Sequence, residues 1–174
     1  MRIIHDIALA EEDEDRITEL LMEAFKDYKY PRRSYFKQRP HFRCLYEKSN
    51  YIIGYSGLDY RVMNIDGKVK RVLGIIDLAV DIKYRNQGIA GAMLEEIESF
   101  SKSRNVDLIL LFADNPGIYE KFGFVTCNAE CTLFMIDEHK TYGMKTDKYP
   151  EIMIKSLDGS DGKIAKVDML GYLY

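Results

Sequence analysis

One stretch limits what this chain can fold into more than any other, the residues from Ile75 to Gly91. It opens as the apolar run Ile75-Ile76-Asp77-Leu78-Ala79-Val80, interrupted by a single carboxylate. It closes as Arg85-Asn86-Gln87-Gly88-Ile89-Ala90-Gly91, where small residues lead into helical spacing. That change of pattern predicts a strand ending near Asp81, a tight turn, and a helix opening near Gly88. The helix reads to Ser103, with Ile89, Met93, Ile97 and Phe100 on one face and Glu95, Glu96 and Glu98 largely off it. Val106 to Ala113 then forms a nearly unbroken apolar run whose one charge is Asp107. Such a run suits a strand covered on both faces. Strand, helix and buried strand make a crossover unit, so its two strands are expected to be parallel.

The remainder reads as strands and a few helices around that unit. Arg2 to Ile7 suits a first strand, and the acidic run Glu11 to Asp15 opens a helix that Pro31 stops. Tyr35 to Gln38 reads as a second short helix. Phe42 to Tyr46, Tyr51 to Met63 and Lys68 to Ile82 read as strands, with a hairpin signal at Asn64-Ile65-Asp66-Gly67. Pro116 to Phe122 reads as a short helix, Val125 to Ile136 as a strand and residues 137 to 150 as a loop. Ile152 to Leu157 and Lys163 to Val167 read as late strands. With 174 residues, the chain suits one domain over 1–174.

Composition mainly excludes. A net charge of -3 gives no global pull toward nucleic acid or an anionic membrane. No run approaches the roughly 18 apolar residues of a membrane span, and the start of the chain lacks the pattern of a signal peptide. Cys44, Cys127 and Cys131 form no disulfide framework, which points to free thiols and a cytoplasmic setting. His5, His41 and His139 are scattered, and no metal site is expected.

The turn ahead of the helix carries the chemistry. A helix mouth presents free backbone N–H groups and the positive end of the dipole, which together attract phosphate. Gly88, Ala90 and Gly91 let a ligand approach the backbone, and Arg85 adds a cation. Close helix–sheet packing would use the same small residues. The segment is neither a P-loop nor a dinucleotide fingerprint, because it lacks Gly-Lys-Ser/Thr and the three spaced glycines.

Arg85-x-x-Gly88-x-Ala90 after a strand resembles the coenzyme A loop of the GCN5-related N-acetyltransferases, whose pattern is Gln or Arg, two residues, Gly, one residue, then Gly or Ala. Ile118-Tyr119-Glu120-Lys121-Phe122-Gly123-Phe124 matches a second landmark of that family at the expected distance. The likeness covers about Lys68 to Phe124 well and the first 65 residues only in the order of elements. It implies an α/β (α+β) fold with a mixed, mostly antiparallel sheet flanked by helices, and two splayed parallel strands at the coenzyme site. It implies acetyl-CoA as acyl donor and an unidentified primary amine as acceptor, with direct attack in a ternary complex. Leu78, Ala79 and Val80 would meet the pantetheine arm. Arg85, Asn86, Gln87, Gly88, Ile89, Ala90 and Gly91 would bind the coenzyme, the N–H groups from Gln87 to Gly91 holding its pyrophosphate, and an N–H near Leu78 would polarise the thioester. Tyr119 matches the residue that often returns a proton to the departing thiolate. Asn115 lies four residues ahead of Tyr119, where many members place an Asn seven ahead, so its part in coenzyme binding departs from the pattern.

Asp77 stands out by itself. A carboxylate within an apolar run is costly unless paired, solvated or used, and partial burial would raise its pKa toward that of a base. Asp77-x-x-Val80 is also similar to aminoglycoside 2'-N-acetyltransferases, where that carboxylate is thought to act through water. The competing reading leaves Asp77 on a strand face, exposed to solvent or paired with Arg61 or Arg71. The apolar end of the chain predicts a docked tail, with the Tyr174 carboxylate either facing the acceptor or simply lying at the end of that tail. Lys26, Lys29, Arg32, Arg33, Lys37, Arg39 and Arg43, interleaved with aromatics, read as an acceptor groove, a solvated basic face or, least favoured, a nucleic-acid surface. A monomer and a homodimer both fit. The alternative to an enzyme is a non-catalytic acyl-CoA sensor.

Overall fold

The structure, a computed structural model, describes residues 1–28, 30–159 and 163–173. It contains ten strands and three α-helices: β1 (Arg2–His5), α1 (Glu11–Ala24), β2 (Phe42–Lys48), β3 (Tyr51–Ile65), β4 (Lys68–Val80), α2 (Ile89–Lys102), β5 (Leu108–Phe112), α3 (Gly117–Glu120), β6 (Val125–Thr126), β7 (Glu130–Asp137), β8 (Lys140–Lys148), β9 (Ile152–Ser156) and β10 (Lys166–Tyr172). The chain forms two compact units, and β3 and β4 contribute residues to both. The first comprises Met1–Asp59 and Ile75–Ile97; the second comprises Tyr60–Gly74 and the described residues from Glu98 onward.

In the first unit β1 pairs antiparallel with β2, and β2 antiparallel with β3. Four acidic residues open α1, where the helix dipole favours them. Its apolar stripe, Ile17, Leu20 and Leu21, is fully buried against Leu45, Ile52, Tyr55 and Ala79. α2 lies close to the sheet because Gly54 has no side chain: a Cβ there would sit 2.8 Å from Met93 Sδ and 3.1 Å from Tyr46 Cβ.

The largest fully buried side chain of this unit is a cation, Arg43. Its Nε donates to Asp6 at 2.6 Å, and its Nη1 donates to the Ser34 carbonyl at 2.7 Å and the Tyr55 hydroxyl at 3.0 Å. Arg39 holds the other Asp6 oxygen at 2.6 Å and also Glu14 at 2.7 Å. One network thus ties the end of β1, α1, β2, β3 and the segment before β2.

In the second unit the strand order is β6-β9-β5-β4-β3-β10-β7-β8. β5 and β6 each pair antiparallel with β9, β7 with β8, and β10 with β3, while β10 and β7 are parallel. The Asp107 N–H donates to the Arg71 carbonyl at 2.9 Å, so β5 and β4 set out from the same edge, as neighbours in a crossover unit must. Leu108, Leu110, Cys131, Leu133, Ile152, Ile154, Val167 and Met169 lie in this unit's core. The mixed, mostly antiparallel sheet expected from the sequence is the architecture observed.

Four local expectations are corrected. Residues 35–38 form no helix; Arg33 instead donates to the carbonyls of Tyr35 and Phe36, and the helical turn falls earlier, at Lys26–Tyr28. The 137–150 loop is mostly β8, joined to β7 through Glu138 and His139, both at positive φ as a two-residue hairpin turn requires. Every residue of β8 is exposed, so it has no apolar alternation to read. The strand expected over Val125 to Ile136 is two, β6 and β7. The last strand runs Lys166–Tyr172 rather than Lys163 to Val167, held between β3 and β7.

Arg43→Ala would leave Asp6 buried with only Arg39 as its cation. Loss of one partner of a buried pair costs about 3–5 kcal/mol. Chemical denaturation should show a loss of that size, whereas Arg32→Ala, at an exposed position, should change stability little.

Candidate active site

Within β4, Asp77 has φ +52°, a left-handed conformation that is strained for a residue other than glycine. The backbone there departs from the regular pleat. The neighbouring Ile76 carbonyl accepts the hydroxyl of Ser56, which is fully buried, at 3.0 Å. Asp77 itself is half-buried. Its partner is neither arginine considered from the sequence: Arg71 pairs with Asp107, and Arg61 donates to the Tyr172 carbonyl. The Tyr30 hydroxyl donates to Asp77 Oδ2 at 2.6 Å.

Burial raises the Asp77 carboxyl, while the Tyr30 hydrogen bond and the charges of Lys37 and Arg43 lower it; burial wins, and the pKa is pushed up to about 6. Tyr30 is buried between Phe25, stacked at 5.6 Å, and Phe36, tilted at 5.4 Å. Its phenol pKa is raised, first by burial and then by Asp77, so it stays protonated and donates.

The turn after β4 is built by Asp81. Its N–H donates to the Ile53 carbonyl at 2.9 Å, and its carboxylate accepts Arg16 at 2.7 Å and the Lys83 N–H at 3.0 Å. A helical turn over Ile82–Tyr84 follows, then Asn86 at φ +61° and Gly88 at φ +78° on either side of Gln87. Such alternation turns successive N–H groups toward one side, as in an anion-binding nest. The hydrogen bond from Ala92 N–H to the Gly88 carbonyl starts the α2 ladder, placing the N–H groups of Ile89, Ala90 and Gly91 at the helix mouth. A Cβ at Gly88 would meet nothing within 4 Å, so its backbone faces open space. Arg85 is less committed to that mouth than expected, because its Nε donates to the Val80 carbonyl at 3.0 Å. Leu78 and Val80 are half-buried, while Ala79 belongs to the core.

The second unit holds the other predicted residues. Tyr119 lies on α3, edge-to-face with Phe124 at 6.0 Å. Burial, then Asp114, raises its phenol pKa, so it carries a proton at neutral pH. Asn115 is exposed, and its carbonyl accepts the Ile118 N–H at 3.3 Å at the start of that short helix. The tail docks as β10, with Arg61 over the Tyr172 ring at 4.4 Å; Tyr174 lies outside the described residues.

Three cations of the basic segment are structural. Arg33, Arg39 and Arg43 bind carbonyls and carboxylates of their own unit; Lys29 lies outside the described residues. All three cysteines are free and buried. Among the described residues no cluster of metal-ligating side chains occurs, and no helix is long and apolar enough to cross a membrane. Tyr30 was missed from the sequence because it sits among basic and aromatic residues with no spacing that marks it.

Residues 7–127 match the profile of the acetyltransferase (GNAT) domain. The chain belongs to the GNAT family. Solved structures agree in fold. A GNAT family N-acetyltransferase from Escherichia coli, in complex with CoA, superposes with a TM-score of 0.63 at 18% identity, over 96% of this chain and 88% of that one. A GNAT family acetyltransferase from Brucella melitensis, in complex with acetyl-CoA, gives 0.60 at 16%, over 95% and 93%. An aminoglycoside 6'-N-acetyltransferase complexed with coenzyme A gives 0.60 at 12%, over 90% and 97%. The chain spans only about a third of some larger matches, such as Eis1 from Mycobacterium abscessus, of which it covers 34%. No curated protein matches the sequence.

Burial makes Asp77 a cost to folding once it is ionised. Its pKa is raised from 3.8 to about 6, so its favourable contribution is complete below the unfolded pKa and is lost as pH rises through the folded one. Asp77→Asn should therefore gain stability relative to the native protein as pH rises across that window. Unfolding midpoints taken on either side of it measure the gain.

Proposed function

We propose that this GNAT domain transfers an acetyl group from acetyl-CoA to a primary amine by direct attack within a ternary complex, with residues 1–174 acting as one acyltransferase domain. The observation that carries the reading is Asp77: a carboxyl with a raised pKa, held by Tyr30 at a strained point near the end of β4, the strand that leads through one turn to a helix mouth suited to phosphate.

The N–H groups from Gln87 to Gly91 would hold the coenzyme pyrophosphate, and Leu78 and Val80 would pair their backbone with the pantetheine arm. By the resemblance, the thioester would lie beside the end of β4, near Leu78. The acceptor amine must be neutral to attack. Asp77, ionised above about pH 6, takes its proton directly or through one water. The amine nitrogen forms the new C–N bond, a tetrahedral oxyanion develops, and an N–H near Leu78 stabilises it. Collapse breaks the C–S bond, and Tyr119, which holds its proton at neutral pH, protonates the departing thiolate. The phenol is then reprotonated from solvent, while Asp77 and the new amide nitrogen release to solvent the two protons that the ammonium brought in.

An acceptor that arrives as an ammonium suits an ionised Asp77. Pairing of Arg39 with Asp6 and Glu14 removes much of the positive field that a bare basic groove would present to such a cation.

Free-thiol release from acetyl-CoA, measured against aminoglycosides, polyamines, amino acids and peptide N-termini, tests the proposal. We expect turnover with cationic amines, rising with pH through about 6. Asp77→Asn should lower kcat/KM by about 10²–10⁴. Tyr119→Phe should lower kcat with acetyl-CoA affinity nearly unchanged. Acetyl-CoA binding with no thiol release from any amine would replace the enzyme by an acyl-CoA sensor.

A further inference from the structure

We propose that Tyr30 is a positioning residue for the base: by donating its hydroxyl proton to Asp77 Oδ2, it keeps that carboxylate ionised and turns its free oxygen, Oδ1, toward the acceptor. The inference rests on the reading of Asp77 as the proton acceptor and adds a residue outside both family landmarks.

Three observations converge. The hydrogen bond is short, at 2.6 Å, and its donor cannot wander, since the Tyr30 ring is packed between Phe25 and Phe36. The carboxyl it holds sits at φ +52°, a strained backbone conformation of the kind that persists where the surrounding structure fixes it. The Tyr30 phenol remains protonated, so against the ionised carboxylate it is the donor.

The groups around the pair act in different ways. Tyr30 and Lys37 come from the segment after α1, Arg43 from β2 and Tyr55 from β3. Arg43 and Lys37 favour the ionised carboxylate through charge alone, whatever its orientation. The Tyr55 hydroxyl already accepts from Arg43 at 3.0 Å. Tyr30 donates to one named oxygen, Oδ2, and so sets which oxygen is occupied. Without that bond, burial acts on the carboxylate unopposed by any hydrogen bond of this kind, and more of the base is protonated near neutrality.

The test is Tyr30→Phe, which keeps the ring and its packing. Side-chain carboxyl NMR reports the Asp77 titration directly, without turnover, and kcat/KM against pH reports it in the reaction. We expect both to move up by about one pH unit, the size of one hydrogen bond to a charged group. The variant's kcat/KM defect should then be about fivefold near pH 6 and vanish near pH 8.5. A carboxyl that titrates unchanged in Tyr30→Phe overturns the inference and leaves acetyl transfer standing. A defect equal at every pH, with the carboxyl unmoved, assigns Tyr30 to packing alone and does the same. A carboxyl that moves while the kcat/KM profile does not removes Asp77 from proton transfer, and the reading beneath the inference fails with it.

Discussion

The first unit depends on a guanidinium kept out of water. Burying a charge is affordable only when it is paired and hydrogen-bonded, and Arg43 meets that condition by gathering Asp6, the Ser34 carbonyl and the Tyr55 hydroxyl around itself. Each partner belongs to a different part of the chain. The irregular residues between α1 and β2 have no ladder of their own to hold them, so the Ser34 contact, together with Arg33 on the Tyr35 and Phe36 carbonyls, gives them a fixed course. Tyr30 and Phe36 lie on that course. The position of the Tyr30 hydroxyl, and through it the orientation of Asp77, is therefore linked to a cation that touches neither. Its Nη2 has no partner among the described residues, and its charge acts on Asp77 through space.

A second constraint is backbone strain, placed where the chemistry is proposed. Left-handed conformations at Asp77, Asn86 and Gly88 fall within twelve residues of one another, at the end of β4 and the mouth of α2. Only Gly88 adopts this conformation without steric cost. Asp77 is held there by its contact with Tyr30, and the adjoining Ile76 carbonyl by Ser56. The turn between them is secured by Asp81 on Arg16 and on the Lys83 N–H. Regular strand geometry would direct N–H and C=O groups into the ladder, and a departure from it is where such groups can turn toward a ligand instead.

Much of this was legible in the residues. The crossover unit, the opening of α2 at Ile89 and the burial of β5 followed from apolar period and from small residues at a helix start, because those are local properties of the chain. Asp77 was legible as an anomaly, a charge in an apolar run. Its partner was not: Arg61 and Arg71 are near in sequence, whereas Tyr30 is 47 residues away and reaches Asp77 only once α1 has packed on the sheet. β8 was invisible for a different reason, since a strand exposed on both faces has no alternation.

Arg33, Arg39 and Arg43 show where the boundary lies. Their density in the sequence allowed a groove, a surface or a nucleic-acid face, because charge alone does not say what it is paired with. Folding decided the matter by bringing Asp6 and Glu14, far back in the chain, against Arg39 and Arg43, and by turning Arg33 onto the carbonyls of Tyr35 and Phe36. By itself the sequence determined the elements on either side of α2, the helix mouth that a phosphate would seek and the one carboxylate out of place, all set by residues close together along the chain. Tertiary structure alone decided which oxygen of that carboxylate is held, how far its pKa rises and which cations are spent inside the fold. Burial and pairing are properties of residues that meet only after the chain has closed on itself.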